Sequence, residues 1–200
     1  MAQLEVISQD RSSEEGLLSE FRQMHWYGVY TRARHEKTVA EQLVARGVEH
    51  FLPLYSSIRK WKDRRVTLQM PLFPGYIFVR LALRDRMTVQ QVPGVARLVG
   101  FNGWPTPLSD DDVGRLWTGL AEGANARPHP YLTVGRRVRL KSGPLAGMQG
   151  ILLRRKGHFR LVISIELIQR SVAVDADESD VEPSAPASQR YGRSADQRNA

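Results

Sequence analysis

Between residues 25 and 183, short apolar runs alternate with segments of helical period. HWYGVY (25–30) is aromatic and β-branched and predicts a strand. In HEKTVAEQLVARG (35–47), Val39, Leu43 and the pair Ala40, Val44 recur at i, i+4, which predicts a helix with one apolar face. Gly47 suits the C′ position of that helix. VEHFLPLY (48–55) reads as strand, and SSIRKWKDRRVTLQMP (56–71) as a basic hairpin turning near Lys62-Asp63. In PLFPGYIFVR (71–80), Pro71, Pro74 and Gly75 fix the start of a strand over 76–83. Strand side chains alternate, so Tyr76, Phe78 and Arg80 share one face and Ile77, Val79 and Leu81 the other. One face can pack on helices while the other presents two aromatics. RDRMTVQQ (84–91) fits a short helix or a loop, VARLVG (95–100) a strand, and Asn102-Gly103 a hairpin turn. SDDDVGRLWTGL (109–120) predicts a helix: Ser109 is the N-cap, Asp112 completes a capping-box variant, and Asp110 and Asp111 suit the positive end of the dipole.

After the Ala-, Gly- and Pro-rich stretch EGANARPHPY (122–131) the pattern changes to five short strands, VRLKSG, GILLRRK, HFRLVISIEL, SVAVDAD and SDVEP. Five strands in so short a span predict a small barrel, whose closure removes exposed edges. The expected fold class is α+β: an N-terminal α/β sandwich with a mainly antiparallel sheet, joined by a linker to a five-stranded β-barrel. The expected boundaries are a disordered acidic extension at 1–24, a first domain at 25–123, a linker at 124–131, a second domain at 132–183 and a disordered tail at 184–200. The β-branched runs at 150–175 predict strands rather than a helical hairpin.

Charge narrows the function. The chain of 200 residues carries a formal net charge of +8, which favours a polyanionic partner. It has no cysteine, so disulfides and thiolate zinc sites are excluded and a reducing compartment fits. No apolar run approaches the roughly 20 residues that span a bilayer, and the acidic start lacks a signal-peptide pattern. The expected location is the cytoplasm, with no membrane partner. The five histidines are scattered, capping explains Asp110–Asp112, and no P-loop, GxGxxG or GxSxG pattern occurs. No enzymatic activity, metal or cofactor is expected.

Three segments together resemble a known pattern. WYGVYTRARHEKTVAEQL, PLFPGYIFVR and VPGVARLVGF with PLSDDDV look like the N-terminal (NGN) domain of NusG-type transcription elongation and antitermination factors. VGRRVRLKSGPLAGMQGILLRR looks like the KOW motif that forms their second domain. The hairpin IRKWKDRR and the form PLFPGYIFV resemble the specialised RfaH-like and UpxY-like paralogs more than the housekeeping factor. The resemblance implies an N-terminal domain that binds the RNA polymerase clamp, suppresses pausing or termination and can touch the non-template DNA strand. It implies a KOW domain that recruits a termination factor or a small-subunit ribosomal protein. A monomer is expected.

The resemblance implies a polymerase contact around Phe73, Tyr76, Phe78 and Thr88. If instead both strand faces are covered, those aromatics are core. Arg59, Lys60, Trp61 and Lys62, followed by Arg64 and Arg65, mix phosphate-binding cations with a ring able to stack on an unpaired base at about 1–3 kcal/mol. A solvated hairpin tip is the alternative. Arg32, Arg34, Lys37, Arg84 and Arg86 are further nucleic-acid candidates. Gly143, Pro144, Gly147 and Gly150 shape a turn, and the Lys141–Gly147 loop is open to RNA contact. Leu167, Ile168 and Arg170 stand where relatives bind the KOW partner, although Ile168 and Gln169 depart from the usual aromatic-Gly pattern. The rival reading is a ribosome-associated or RNA-binding KOW protein, whose affinity would lie in the second domain.

Overall fold

The computed structural model describes residues 21–61, 64–131, 135–155 and 158–184, without the side chains of Trp61, Arg154, Arg155, His158, Phe159 and Glu178. Lys62, the turn at Lys62-Asp63, residues 1–20 and the tail from 185 lie outside the described residues.

The first sheet is antiparallel and contains β1 (Met24–Thr31), β2 (Glu49–Phe51), β5 (Tyr76–Ala82), β6 (Val95–Leu98) and β9 (Pro107–Leu108). Its order is β2-β5-β1-β6, with β9 also pairing β1. The sheet starts at Met24, and Phe21 lies 6.5 Å from the Trp104 ring, so structure begins inside the expected N-terminal tail. Helix α1 (Glu36–Ala45) and the short helix α2 (Arg86–Gln90) cover one face. Ile77, Val79 and Leu81 of β5 pack there with Val39, Leu43 and Val89, as the alternation requires. The buried stripe of α1 is Glu36, Val39 and Leu43, whereas Val44 is exposed. Val44 sits one residue, about 100° around the helix, past Leu43 and so turns away from the sheet.

Strands β3 (Leu54–Trp61) and β4 (Arg64–Pro71) form a separate two-stranded ribbon. β7 (Gly100–Phe101) and β8 (Trp104–Pro105) form a short hairpin whose turn residues Asn102 and Gly103 both have positive φ, as a type I′ turn needs. Helix α3 (Asp110–Ala121) begins where expected: the Ser109 hydroxyl accepts from the Asp112 N–H at 3.2 Å.

The second sheet runs β10-β14-β13-β12-β11-β15 and is antiparallel throughout. Its strands are β10 (Ala126–His129), β11 (Arg136–Leu140), β12 (Gln149–Arg155), β13 (His158–Ile165), β14 (Arg170–Ala176) and β15 (Val181–Pro183). The region 150–175 is thus strand-rich. Five of the six strands are those the sequence predicts. The sixth, β10, falls in the expected linker and pairs Arg127 with Ala173 and Pro128 with Val172. Its one proline, Pro128, lacks an N–H donor and sits on the sheet edge, where such residues are tolerated.

One apolar cluster joins the two sheets. It runs from Trp26, Leu72, Phe73 and Phe78 through Val113 and Leu116 of α3 to Val138, Leu145, Ile163 and Ile168. The outer face of the first sheet is therefore covered by α3 and by the second sheet.

Candidate functional site

The turn before β5 sets the site. The Tyr76 N–H donates to the Phe73 carbonyl at 3.0 Å, Pro74 and Gly75 lie between, and Gly75 has φ +85°. This is the pattern of a type II turn, which requires a positive φ at its third residue. The turn is tied on both sides. Gly75 N–H donates to the buried Glu36 carboxylate at 2.7 Å, and the Gly75 carbonyl accepts from Thr31 N–H at 2.9 Å. Residues 71–80 are thus locked to the start of α1 and the end of β1.

The face beyond the turn is a continuous train of rings. Phe73 meets Phe78 edge-on at 5.5 Å, Phe78 faces Phe51 at 6.2 Å, Phe51 stacks on Trp117 at 4.8 Å, and Trp117 meets Trp26 at 5.8 Å. Offset and edge-on geometries of this kind add to the gain from burial. Tyr76 lies at the margin, 5.3 Å from Tyr30.

The sequence allows two readings of this face, aromatics presented or aromatics in the core; the structure buries Phe73 and Phe78 and half-buries Tyr76, which corrects the expectation of a presented face. The cover comes from the second sheet. Ile168 is buried, and a Cβ built on Gly28 of β1 would stand 3.2 Å from its Cγ2. Leu167 is partly buried against the same cluster. The Arg170 guanidinium sits 5.5 Å from the Tyr76 ring centroid, a cation–π distance. The Phe73, Tyr76, Phe78 group and the Leu167, Ile168, Arg170 group, expected to serve different partners, thus face each other.

Two further contacts hold the cover in place. Leu145 of the Gly143–Gly147 turn seats against Gly119 of α3, where any Cβ would strike Leu145 Cδ2 and approach the Pro144 carbonyl oxygen to 2.7 Å. Within this loop Leu145 alone is buried, while Lys141, Ser142, Gly143, Pro144 and Ala146 are exposed. Gly143 and Gly147 have φ +83° and +85°, which accounts for glycine at both. Arg127 of β10 donates to the Ser56 carbonyl at 2.9 Å and lies 5.6 Å from the Tyr55 ring centroid.

The remaining candidates lie elsewhere. Arg32, Arg34 and Lys37 are exposed at the β1–α1 corner, with Arg34 at φ +64°. Thr88 is exposed on α2, and its carbonyl accepts from Arg46 at 3.1 Å. Arg84 pairs with Asp85 at 3.4 Å, while Arg86 bonds the Leu83 carbonyl and lies 5.6 Å from the Phe21 ring centroid. Arg59 and Lys60 are exposed on the ribbon.

Phe51, Trp117, Tyr30, Arg127 and Gly119 take part in the site without a sequence signal for it. The usable hint was Trp117 at the i+4 position from Val113 and next to Leu116, which widens the apolar stripe of α3. Among the described residues no group of three metal-ligating side chains converges, and no helix is long and apolar enough to cross a membrane.

Comparison with known proteins bears on this arrangement. The family model described as "NusG: Transcription termination factor nusG" matches residues 24–117. The transcription termination/antitermination protein NusG of Helicobacter pylori J99 is 25% identical over 172 residues, covering 80% of this chain and 98% of that protein. The protein of the same name from Escherichia coli K12 is 27% identical over 180 residues, covering 82% and 99%. A solved structure, "Domain interaction in Thermotoga maritima NusG", matches with TM-score 0.52 at 24% identity, covering 82% of this chain and 98% of the other, and supports the fold.

Proposed function

We propose that this chain is a NusG-family transcription termination/antitermination factor whose N-terminal domain, residues 25–123, binds the RNA polymerase clamp. Phe73, Tyr76 and Phe78, with the ring train behind them, form the docking face. Thr88 and the exposed cations Arg32, Arg34, Lys37, Arg59 and Lys60 flank it toward polymerase and DNA, with Trp61, Lys62, Arg84 and Arg86 in the same role. In this reading the second sheet is the KOW domain, closed as a barrel when free. It recruits a termination factor or a small-subunit ribosomal protein through Leu167, Ile168 and Arg170. The factor acts as a cytoplasmic monomer and works by binding energy alone.

One observation carries this reading: the aromatic face is large, continuous and covered only by another part of the same chain. In this reading the face has two occupants in turn, its own second domain and the polymerase. The docking and recruiting surfaces block each other, so each partner favours the open form and helps the other by the same factor.

Core RNA polymerase pull-down by a chain ending at residue 123 tests the proposal. Retention by this fragment, and its loss in Tyr76→Ala with the circular dichroism spectrum preserved, is expected. A folded fragment that fails to bind polymerase overturns it.

A further inference from the structure

The β3–β4 ribbon has no role in the core beyond its base. Eight residue pairs link it, from Leu54 with Pro71 to Trp61 with Arg64, and no third strand pairs with either edge among the described residues. At about 3.3 Å per residue it extends roughly 26 Å. Its base is anchored by Tyr55, which packs on the joint core.

Charge is concentrated at the other end. Residues 59–65 carry five cations and one acid, Asp63, which is also the only acidic residue between 54 and 71. Arg59, Lys60, Arg64 and Arg65 are all exposed, and none makes an ion pair with a described residue.

The register fixes how these charges are distributed. Directly opposed residues in an antiparallel pair share a face. Lys60 lies opposite Arg65, which puts both on one face. Arg59 lies opposite Val66 and Arg64 opposite residue 61, which puts Arg59 and Arg64 on the other face. The tip is therefore cationic on both sides. A ribbon lying flat on a polyanion needs cations on one side only. Cations on both sides match negative charge on two walls.

The major groove of B-form DNA offers that arrangement. It is about 12 Å wide with phosphates along both rims, and it admits a two-stranded β-ribbon. The major groove of A-form RNA is too deep and narrow for this.

We propose that the β3–β4 ribbon inserts into the major groove of duplex DNA, with Lys60 and Arg65 on one phosphate wall and Arg59 and Arg64 on the other. This deepens the reading that the hairpin contacts nucleic acid and is independent of polymerase docking.

The test is fluorescence anisotropy of the full chain against a labelled 20-base-pair DNA duplex, the matching single strand and the RNA duplex, over roughly 50–200 mM salt. Duplex DNA binds most tightly. Lys60→Gln/Arg65→Gln and Arg59→Gln/Arg64→Gln each weaken it, and each reduces the slope of log K against log salt by about 1.8, two phosphates at about 0.9 each. Tyr76→Ala leaves naked-duplex binding unchanged, so failure of polymerase docking is separable from failure here. Preference for the single strand or for RNA overturns the inference. So does an effect from only one pair, which means a flat ribbon, or from neither, which places DNA elsewhere.

Discussion

Replacing Gly119 with alanine separates the stability of α3 from the closure of the second sheet over the aromatic face. Alanine is the better helix former by about 0.8–1.0 kcal/mol in a helix interior, so α3 itself gains. That gain is present whether the second sheet is docked or free, so it drops out of the docking equilibrium. The new Cβ does not drop out. It strikes Leu145 Cδ2, which a rotamer change can relieve, and stands 2.7 Å from the Pro144 carbonyl oxygen, which is backbone and can move only with its loop. Overpacking of this kind costs about 1–3 kcal/mol. At about 2 kcal/mol the closed-to-open ratio falls about 30-fold. When the competent state is minor, apparent affinity rises in step with its population. Full-length Gly119→Ala is therefore predicted to bind core polymerase up to about 30-fold more tightly, with a larger radius of gyration by small-angle X-ray scattering. An unchanged radius together with unchanged or weaker polymerase binding would refute the reasoning.

Three smaller perturbations probe the supports. Glu36→Ala removes the acceptor for the Gly75 N–H and costs about 1–3 kcal/mol in urea unfolding, while Glu36→Gln keeps an acceptor and recovers most of it. Ser109→Ala removes the α3 cap and lowers stability by about 1 kcal/mol, read as a shift in thermal midpoint. The Tyr131 phenol is held above its usual 10.0, first by burial and then by Glu166, against the opposing pull of Arg137. The unfolded chain gives up that proton first, so the contribution is complete below pH 10 and is lost as pH rises through the folded value; Tyr131→Phe should flatten that part of the urea-midpoint profile.

Much of the architecture was legible because local rules agreed with the tertiary outcome. Ser109 capped its helix, Asn102-Gly103 made its turn, and Gly75 took the positive φ that the Pro-Gly pair implied. The alternation in β5 correctly divided Ile77 and Val79 from Phe78. What the sequence could not show was what lies over Phe78. Exposure depends on the packing of distant segments, here Ile168 against Gly28 and Leu145 against Gly119, and neither pair has a local signature. The strand at Ala126–His129 escapes sequence reading for a related reason: an edge strand with two nearby prolines has the composition of a linker, and only its pairing with β14 makes it a strand.

The central claim is that one face serves both polymerase and the chain's own second domain. Tyr76 and Arg170 are the two partners of a single contact, 5.5 Å between guanidinium and ring centroid, and they belong to opposite sides of the closure. Removing either loses the same cation–π interaction, about 0.5–1 kcal/mol at an exposed site. In the proposed reading only Tyr76 is also a docking anchor, and losing an anchor costs about 2 kcal/mol or more. The decisive measurement is the affinity of core RNA polymerase for full-length Tyr76→Ala and Arg170→Ala side by side. The account predicts opposite signs, weaker for Tyr76→Ala and about 2- to 5-fold tighter for Arg170→Ala. Shifts in the same direction, or no shift in either, would contradict it.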